Sequence, residues 1–131
     1  MSNHLKFYIN GAWVDPATPR KLDVINPANE EAFTQISIGS KADVDRAVAA
    51  AKAAFPRFSQ TSKAERIALL MRIIENYKAR FEDIAQAVSA EMGAPIGMAR
   101  DSQAAAGLAH IESTLKALEA FEFEDNRNGT R

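Results

Sequence analysis

The spacing of apolar residues changes once along this chain, at Ser40. Before Ser40 they come in short runs separated by turn formers. Phe7-Tyr8-Ile9 and Ala12-Trp13-Val14 flank Asn10-Gly11. Both centres of a type I′ turn need positive φ, which Asn and Gly tolerate best, so this stretch predicts a hairpin with Trp13 at least partly covered. Asp15-Pro16 through Pro19 reads as a turn-rich connection. Leu22-Asp23-Val24-Ile25 predicts a short strand that Asn26-Pro27 stops. From Phe33 to Ile38 apolar and polar residues alternate, as in a half-buried strand, and Gly39 ends it.

After Ser40 the apolar residues recur every three or four positions. Ser40 with Asp43 and Ser62 with Glu65 have the spacing of capping boxes. The first opens a helix with Val44, Ala47, Val48, Ala51 and Phe55 on one face, limited by Pro56. The second opens a helix striped by Ile67, Leu70, Met71, Ile74 and Tyr77. Leu69 and Ile73 widen that stripe, which predicts burial on more than one side. Phe81, Ile84, Ala85, Val88 and Met92 mark a third helix, capped by Gly93 and kept from continuing by Pro95. A fourth starts between Met98 and Gln103 and carries Leu108, Ile111, Leu115 and Leu118, with Phe121 extending the face. The alanine run at 104–106 allows another element to pack closely there. The polar tail from Glu122 to Arg131 is expected to fray. The whole reads as α+β: strands and turns over 1–39, a helical segment over 40–122, and a polar tail over 123–131.

Composition narrows the function. Lys and Arg number 16 against 17 Asp and Glu, a net charge of −1, so no long-range field favours nucleic acid or an anionic membrane. No apolar run reaches the roughly 18 residues of a membrane span. Met1 to Lys6 has no apolar signal core, which makes the cytoplasm the expected location. There are no cysteines, hence no disulfide, no thiolate metal site and no cysteine nucleophile. His4 and His110 lack any metal-binding or acidic partner pattern. His4 is expected in a mobile tail and His110 at a polar boundary. No Gly-x-Ser-x-Gly elbow and no phosphate loop occurs, and Pro95 inside Gly93-Ala94-Pro95-Ile96-Gly97 makes that stretch a helix stop. Lys63, Arg66, Arg72, Lys78 and Arg80 are spread around their helix among acids and read as a solvated face. No residue presents itself as catalytic.

Phe7-Tyr8-Ile9-Asn10-Gly11-Ala12-Trp13-Val14, Val24-Ile25-Asn26-Pro27-Ala28-Asn29-Glu30, the stretch from Asp43 to Phe55, and Glu91-Met92-Gly93-Ala94-Pro95 follow one another in an order of some specificity. Together they resemble the opening segment of the NAD(P)-dependent aldehyde dehydrogenase superfamily, from about Phe7 to about Phe121. The resemblance implies a truncated part of a larger α/β enzyme, whose coenzyme sheet, cysteine nucleophile and glutamate base lie downstream. It implies no coenzyme in this chain and NAD or NADP in the parent. It implies a monovalent-cation contact at the Ile25 carbonyl and at Glu91, in the parent. From this chain alone, Ile25 reads as core and Glu91 as a helix-end acid. It also places Gln103, Ala106, Gly107 and His110 at the parent's substrate entrance. Two functions follow. One is the N-terminal segment of an aldehyde dehydrogenase, inactive alone, whose partner is the remainder of the enzyme or a second copy in a homo-oligomer. The other is a free-standing helical interaction or dimerisation module.

Overall fold

A computed structural model describes residues 3–124. The chain divides into two compact units. One holds the strands, the first helix and the end of the third, Ala87–Ala94. The other holds Thr61–Gln86 and the described residues from Pro95 onward.

In the first unit, β1 (Phe7–Ile9) and β2 (Ala12–Val14) pair antiparallel, with Tyr8 opposite Trp13 and Ile9 opposite Ala12. Asn10 and Gly11 have φ of 53° and 77°, the left-handed pair that a two-residue hairpin demands. Trp13 stays 51% exposed. Its partial cover includes the Tyr8 ring, met edge-on with centroids 5.2 Å apart. β3 (Lys21–Asn26) and β4 (Glu31–Ser37) form a second antiparallel hairpin, with an irregularity between Val24 and Ile25. Its turn is built by Asn26. The Asn26 carbonyl accepts from the Asn29 and Glu30 amides, and its side-chain oxygen accepts from the Ala28 amide at 2.9 Å. Glu30 adopts a left-handed φ of 59° to re-enter the ladder.

His4, expected in a mobile tail, makes an exposed contact with β4. The His4 ring lies 3.0 Å from the Thr34 hydroxyl, and the Ser37 hydroxyl donates to the Leu5 carbonyl at 2.8 Å. Backbone and hydroxyl groups of β4 thus hold the segment before β1.

α1 (Lys41–Phe58) runs through Pro56 rather than stopping at it. A proline this near the end removes a single ladder bond, and the Ser59 amide still closes on the Phe55 carbonyl at 2.8 Å. The predicted apolar stripe of α1 forms, but Val44, Val48 and Phe55 are exposed, Phe55 by 67%.

The second unit packs α2 (Lys63–Ala79) against α5 (Ala105–Ala120), with Ile74 buried and Leu108, Ile111, Leu115 and Leu118 half-buried. α3 (Phe81–Met92) contributes its first turns to this unit. The fourth predicted helix starts earlier than expected. Helical structure begins at Ile96 in α4 (Ile96–Met98), continues as a π-helical segment over Ala99–Ala104, and passes into α5. Pro95 ends one helix and caps the next, because its fixed φ and missing N–H cost nothing just outside the first turn.

The described start of the tail makes contacts of its own. Lys63 donates to the Phe121 carbonyl at 2.9 Å, Phe121 meets Phe123 edge-on at 5.0 Å, and the Arg66 guanidinium lies 5.5 Å from the Phe123 ring centroid. Phe123 supplies the apolar contact that the reading of a polar tail overlooked. The remainder of that expected tail, 125–131, lies outside the described residues. The basic residues on and just after α2 lie mostly exposed, as a solvated face should, with Lys78 paired to Glu112 at 2.8 Å and Arg80 to Asp83 at 3.2 Å.

Candidate functional site

Three groups of residues are candidates for function. The first is Asp43, the only described charged residue that is buried, at 4% exposure. It stands at the third position of α1. One carboxylate oxygen accepts from the Ser40 amide at 2.9 Å and the Ser40 hydroxyl at 2.7 Å. The other accepts from the Ala17 amide at 2.9 Å and from Arg46 at 2.6 Å. The predicted box therefore does more than cap a helix. It ties the connection after β2 to the start of α1. The Ser40 amide and hydroxyl, then the Ala17 amide, hold this carboxyl well below the usual carboxylate range, with Arg46 adding to them. At the start of α2, Glu65 accepts from the Ser62 amide at 2.7 Å and hydroxyl at 2.8 Å, and its own amide donates to that hydroxyl. These bonds lower the Glu65 pKa too.

The second group lies where α3 ends. Gly93 has a left-handed φ of 67°, and its amide closes on the Ser89 carbonyl at 2.9 Å. The Ser89 hydroxyl donates to the Ala94 carbonyl at 2.7 Å. A Cβ on Gly93 would come within 2.9 Å of Pro27 and 3.3 Å of the Ala28 amide nitrogen. The helix end is thus pressed against the Asn26–Glu30 turn, and only glycine fits both the φ and the gap. Ile25 and Glu91, the two cation contacts implied by resemblance, stand on the two elements that meet here, both exposed. Carbonyl and carboxylate oxygens suit a hard cation, although two of them do not complete a shell. No cluster of three or more His, Asp or Glu residues with metal-binding geometry occurs among the described residues.

The close fit at Gly93 makes a prediction. Gly93→Ala should cost about 2 kcal/mol or more, from left-handed strain plus the collision with Pro27. Gly97→Ala, where an added Cβ meets nothing within 4 Å, should be neutral or stabilising. Denaturant midpoints of the two variants check this, and equal midpoints would contradict it.

The third group is the implied substrate entrance. Gln103 is half-buried in the π segment, Ala106 and His110 are exposed on α5, and Gly107 is half-buried. A Cβ on Gly107 would come within 3.1 Å of Tyr77 Cζ and closer still to its hydroxyl, so Gly107 belongs to the α2 contact. The structure therefore places Gly107 toward α2 and leaves Ala106 and His110 open. The reading of single residues missed the Arg100–Glu82 pair, a two-point contact at 2.9 and 2.6 Å. Arg100, with Gln86, holds the Glu82 carboxyl down at about 2. Eighteen residues separate the pair, and no helical spacing signals such a contact.

Two open grooves flank β1. One of about 370 Å³ is lined by Phe7, Tyr8, Val44 and Ala47, the other of about 360 Å³ by Asn10, Gly11, Ala50 and Ala54. Neither contains a nucleophile paired with a base.

The chain belongs to the aldehyde dehydrogenase family, whose model matches residues 13–129. A relative from Staphylococcus aureus that carries a provisional aldehyde dehydrogenase name is 42% identical over 127 residues, covering 97% of this chain and 27% of its own. The crystal structure of an aldehyde dehydrogenase from Bartonella henselae is 47% identical, with a TM-score of 0.93, over 99% of this chain and 28% of that one. A mutant of aldehyde dehydrogenase C from Pseudomonas syringae, in complex with NAD+ and octanal, is 42% identical, with a TM-score of 0.94, over 97% of this chain and 26% of that one. The chain thus spans about a quarter of the length of these relatives and matches their N-terminal part. No helix among the described residues is long and apolar enough to cross a membrane.

Proposed function

We propose that this chain serves as the N-terminal segment of a cytoplasmic NAD(P)-dependent enzyme that oxidises an aldehyde to a carboxylic acid, and that it has no such activity alone. The observation that carries this is the match of nearly the whole chain, at a TM-score of 0.93, to about a quarter of a solved dehydrogenase. In the relative bound to NAD+ and octanal, coenzyme and aldehyde are held by a chain about four times as long. Here Ile25 and Glu91 would contribute oxygens to a monovalent cation, and Ala106 and His110 would border the aldehyde's path. Small residues there leave room for bulky aldehydes. The attack on the carbonyl needs a cysteine thiolate, and these 131 residues contain none.

The isolated chain, incubated with NAD+ or NADP+ and octanal, is expected to give no rise in reduced-nicotinamide absorbance. A coenzyme-dependent rise in a preparation free of other dehydrogenases would overturn the proposal.

The exposure of Val44, Val48 and Phe55 along one face of α1 favours a second reading, an interaction or dimerisation module. The two readings share the same apolar surface. They differ in what covers it, the rest of a dehydrogenase or a second copy of this chain.

A further inference from the structure

The helical run from Ile96 to Ala120 buries its residues at two different spacings. Ala99 and Ala104, 0% and 1% exposed, are its buried positions, and they stand five apart. From Ala104 the half-buried Leu108, Ile111, Leu115 and Leu118 follow at steps of four and three. An α-helix returns to the same side after three or four residues. A step of five matches a π turn, and the π segment Ala99–Ala104 occupies that interval. It keeps the stretch before it and the stretch after it on one side. An uninterrupted α-helix from Ala99 would instead bring Gln103, Ala106 and His110 round to the side now held by Ala104 and Leu108. That face is more polar and carries only one small aliphatic side chain.

A π turn has poorer geometry than an α turn and persists where its surroundings hold it. Two side-chain contacts meet this segment at its ends. Near the start, Arg100 donates through two nitrogens to both Glu82 oxygens. At the end, the Tyr77 hydroxyl donates to the Ala104 carbonyl at 2.8 Å. Gly107 lets the Tyr77 ring come close enough for that bond, because any side chain there would strike it.

We propose that Tyr77 and the Arg100–Glu82 pair lock α5 in a π-shifted register, which turns Ala106 and His110 outward and Leu108 inward. They are positioning residues. The register rests on the fold of the second unit. Only its use, to set the wall of an aldehyde entrance, rests on the function proposed above.

The chain has no cysteine, so single introduced thiols report accessibility without background. Ala106→Cys and Leu108→Cys are each made in the parent chain and in a Tyr77→Phe/Glu82→Ala background, then labelled with a maleimide. In the parent, labelling at position 106 should be roughly tenfold faster than at position 108. In the double-variant background that ratio should collapse to near one or invert, with helical circular dichroism kept. A ratio unchanged in the folded double variant overturns the proposal.

If the double variant loses its helical signal, the Tyr77→Phe chain decides by hydrogen exchange. The amides of 104–108 should exchange roughly tenfold faster than in the parent, with α1 unaffected. Unchanged protection there overturns the proposal. None of these readouts involves an aldehyde. A failed entrance reading therefore leaves them as stated, and a failed register changes them whatever the parent enzyme does.

Discussion

Replacing Asp43 by alanine should lower the melting temperature of the chain by about 10 °C. The carboxylate is buried and accepts four hydrogen bonds, from Ser40 twice, Ala17 and Arg46. Alanine leaves the Ala17 and Ser40 amides without their acceptor and removes the tie between the β2–α1 connection and the helix. Asp43→Asn keeps the shape but loses the charge, and it can accept through only one of the two positions. It should fall between parent and alanine.

The effect depends on pH in a definite direction. The folded carboxyl titrates below its unfolded value, so its contribution is complete above the unfolded pKa, near 3.9. It is lost progressively as pH falls below that value toward the folded pKa. The gap in melting temperature between parent and Asp43→Asn should therefore be constant from pH 5 to 7 and shrink below about pH 4. Glu65 and Glu82, also lowered, add acid sensitivity of the same sign to both proteins, so the difference isolates Asp43. Thermal scans giving one melting temperature for parent and Asp43→Ala at pH 7 would remove Asp43 from this role.

The isolated chain should also self-associate. Val44, Val48 and Phe55 lie four and seven residues apart on α1, on one side of the helix, and all are exposed. Tyr8 and Trp13 on the first hairpin, and Met71 and Ile73 on α2, are exposed as well. Each large side chain left in water forgoes roughly 1.5–3 kcal/mol of burial. The three on α1 are about half exposed, so together they forgo roughly 2–5 kcal/mol, a sizeable share of a domain's total stability of about 5–15 kcal/mol. A second chain or the remainder of a dehydrogenase would recover part of that. Sedimentation should show a mass that rises with concentration, and Val48→Glu/Phe55→Glu should shift the chain toward monomer without loss of helix. A strict monomer at high concentration that binds no hydrophobic dye would refute this and point to a self-sufficient domain.

The apolar faces of the helices meet different fates in the structure. Leu108, Ile111, Leu115 and Leu118 are half-buried where α5 packs on α2, while the apolar stripe of α1 is open. Periodicity reveals that a helix has an apolar side and says nothing of whether a partner reaches it. The candidate site divides in the same way. Glu91 and Gly93 could be placed at a helix end because Gly93-Ala94-Pro95 stops a helix by local chemistry. The approach of that end to Pro27 joins residues 66 positions apart and could not be read from either segment.

The sequence by itself determined the elements whose causes are local. Asn10-Gly11 requires a left-handed pair, Ser40 and Ser62 with acids three residues on start helices, and Gly93 with Pro95 ends one. The family was legible as well, through the order of short signatures. Only the tertiary structure decided what depends on distant contacts. Asp43 became a buried junction because the Ala17 amide folds back onto it, and Phe123 was held because Arg66 and Phe121 lie beside it. The helix after Pro95 takes a π step over Ala99–Ala104, whose two buried alanines stand five positions apart. Local chemistry acts within one or two turns of chain, whereas these outcomes depend on what a second element brings to the same place.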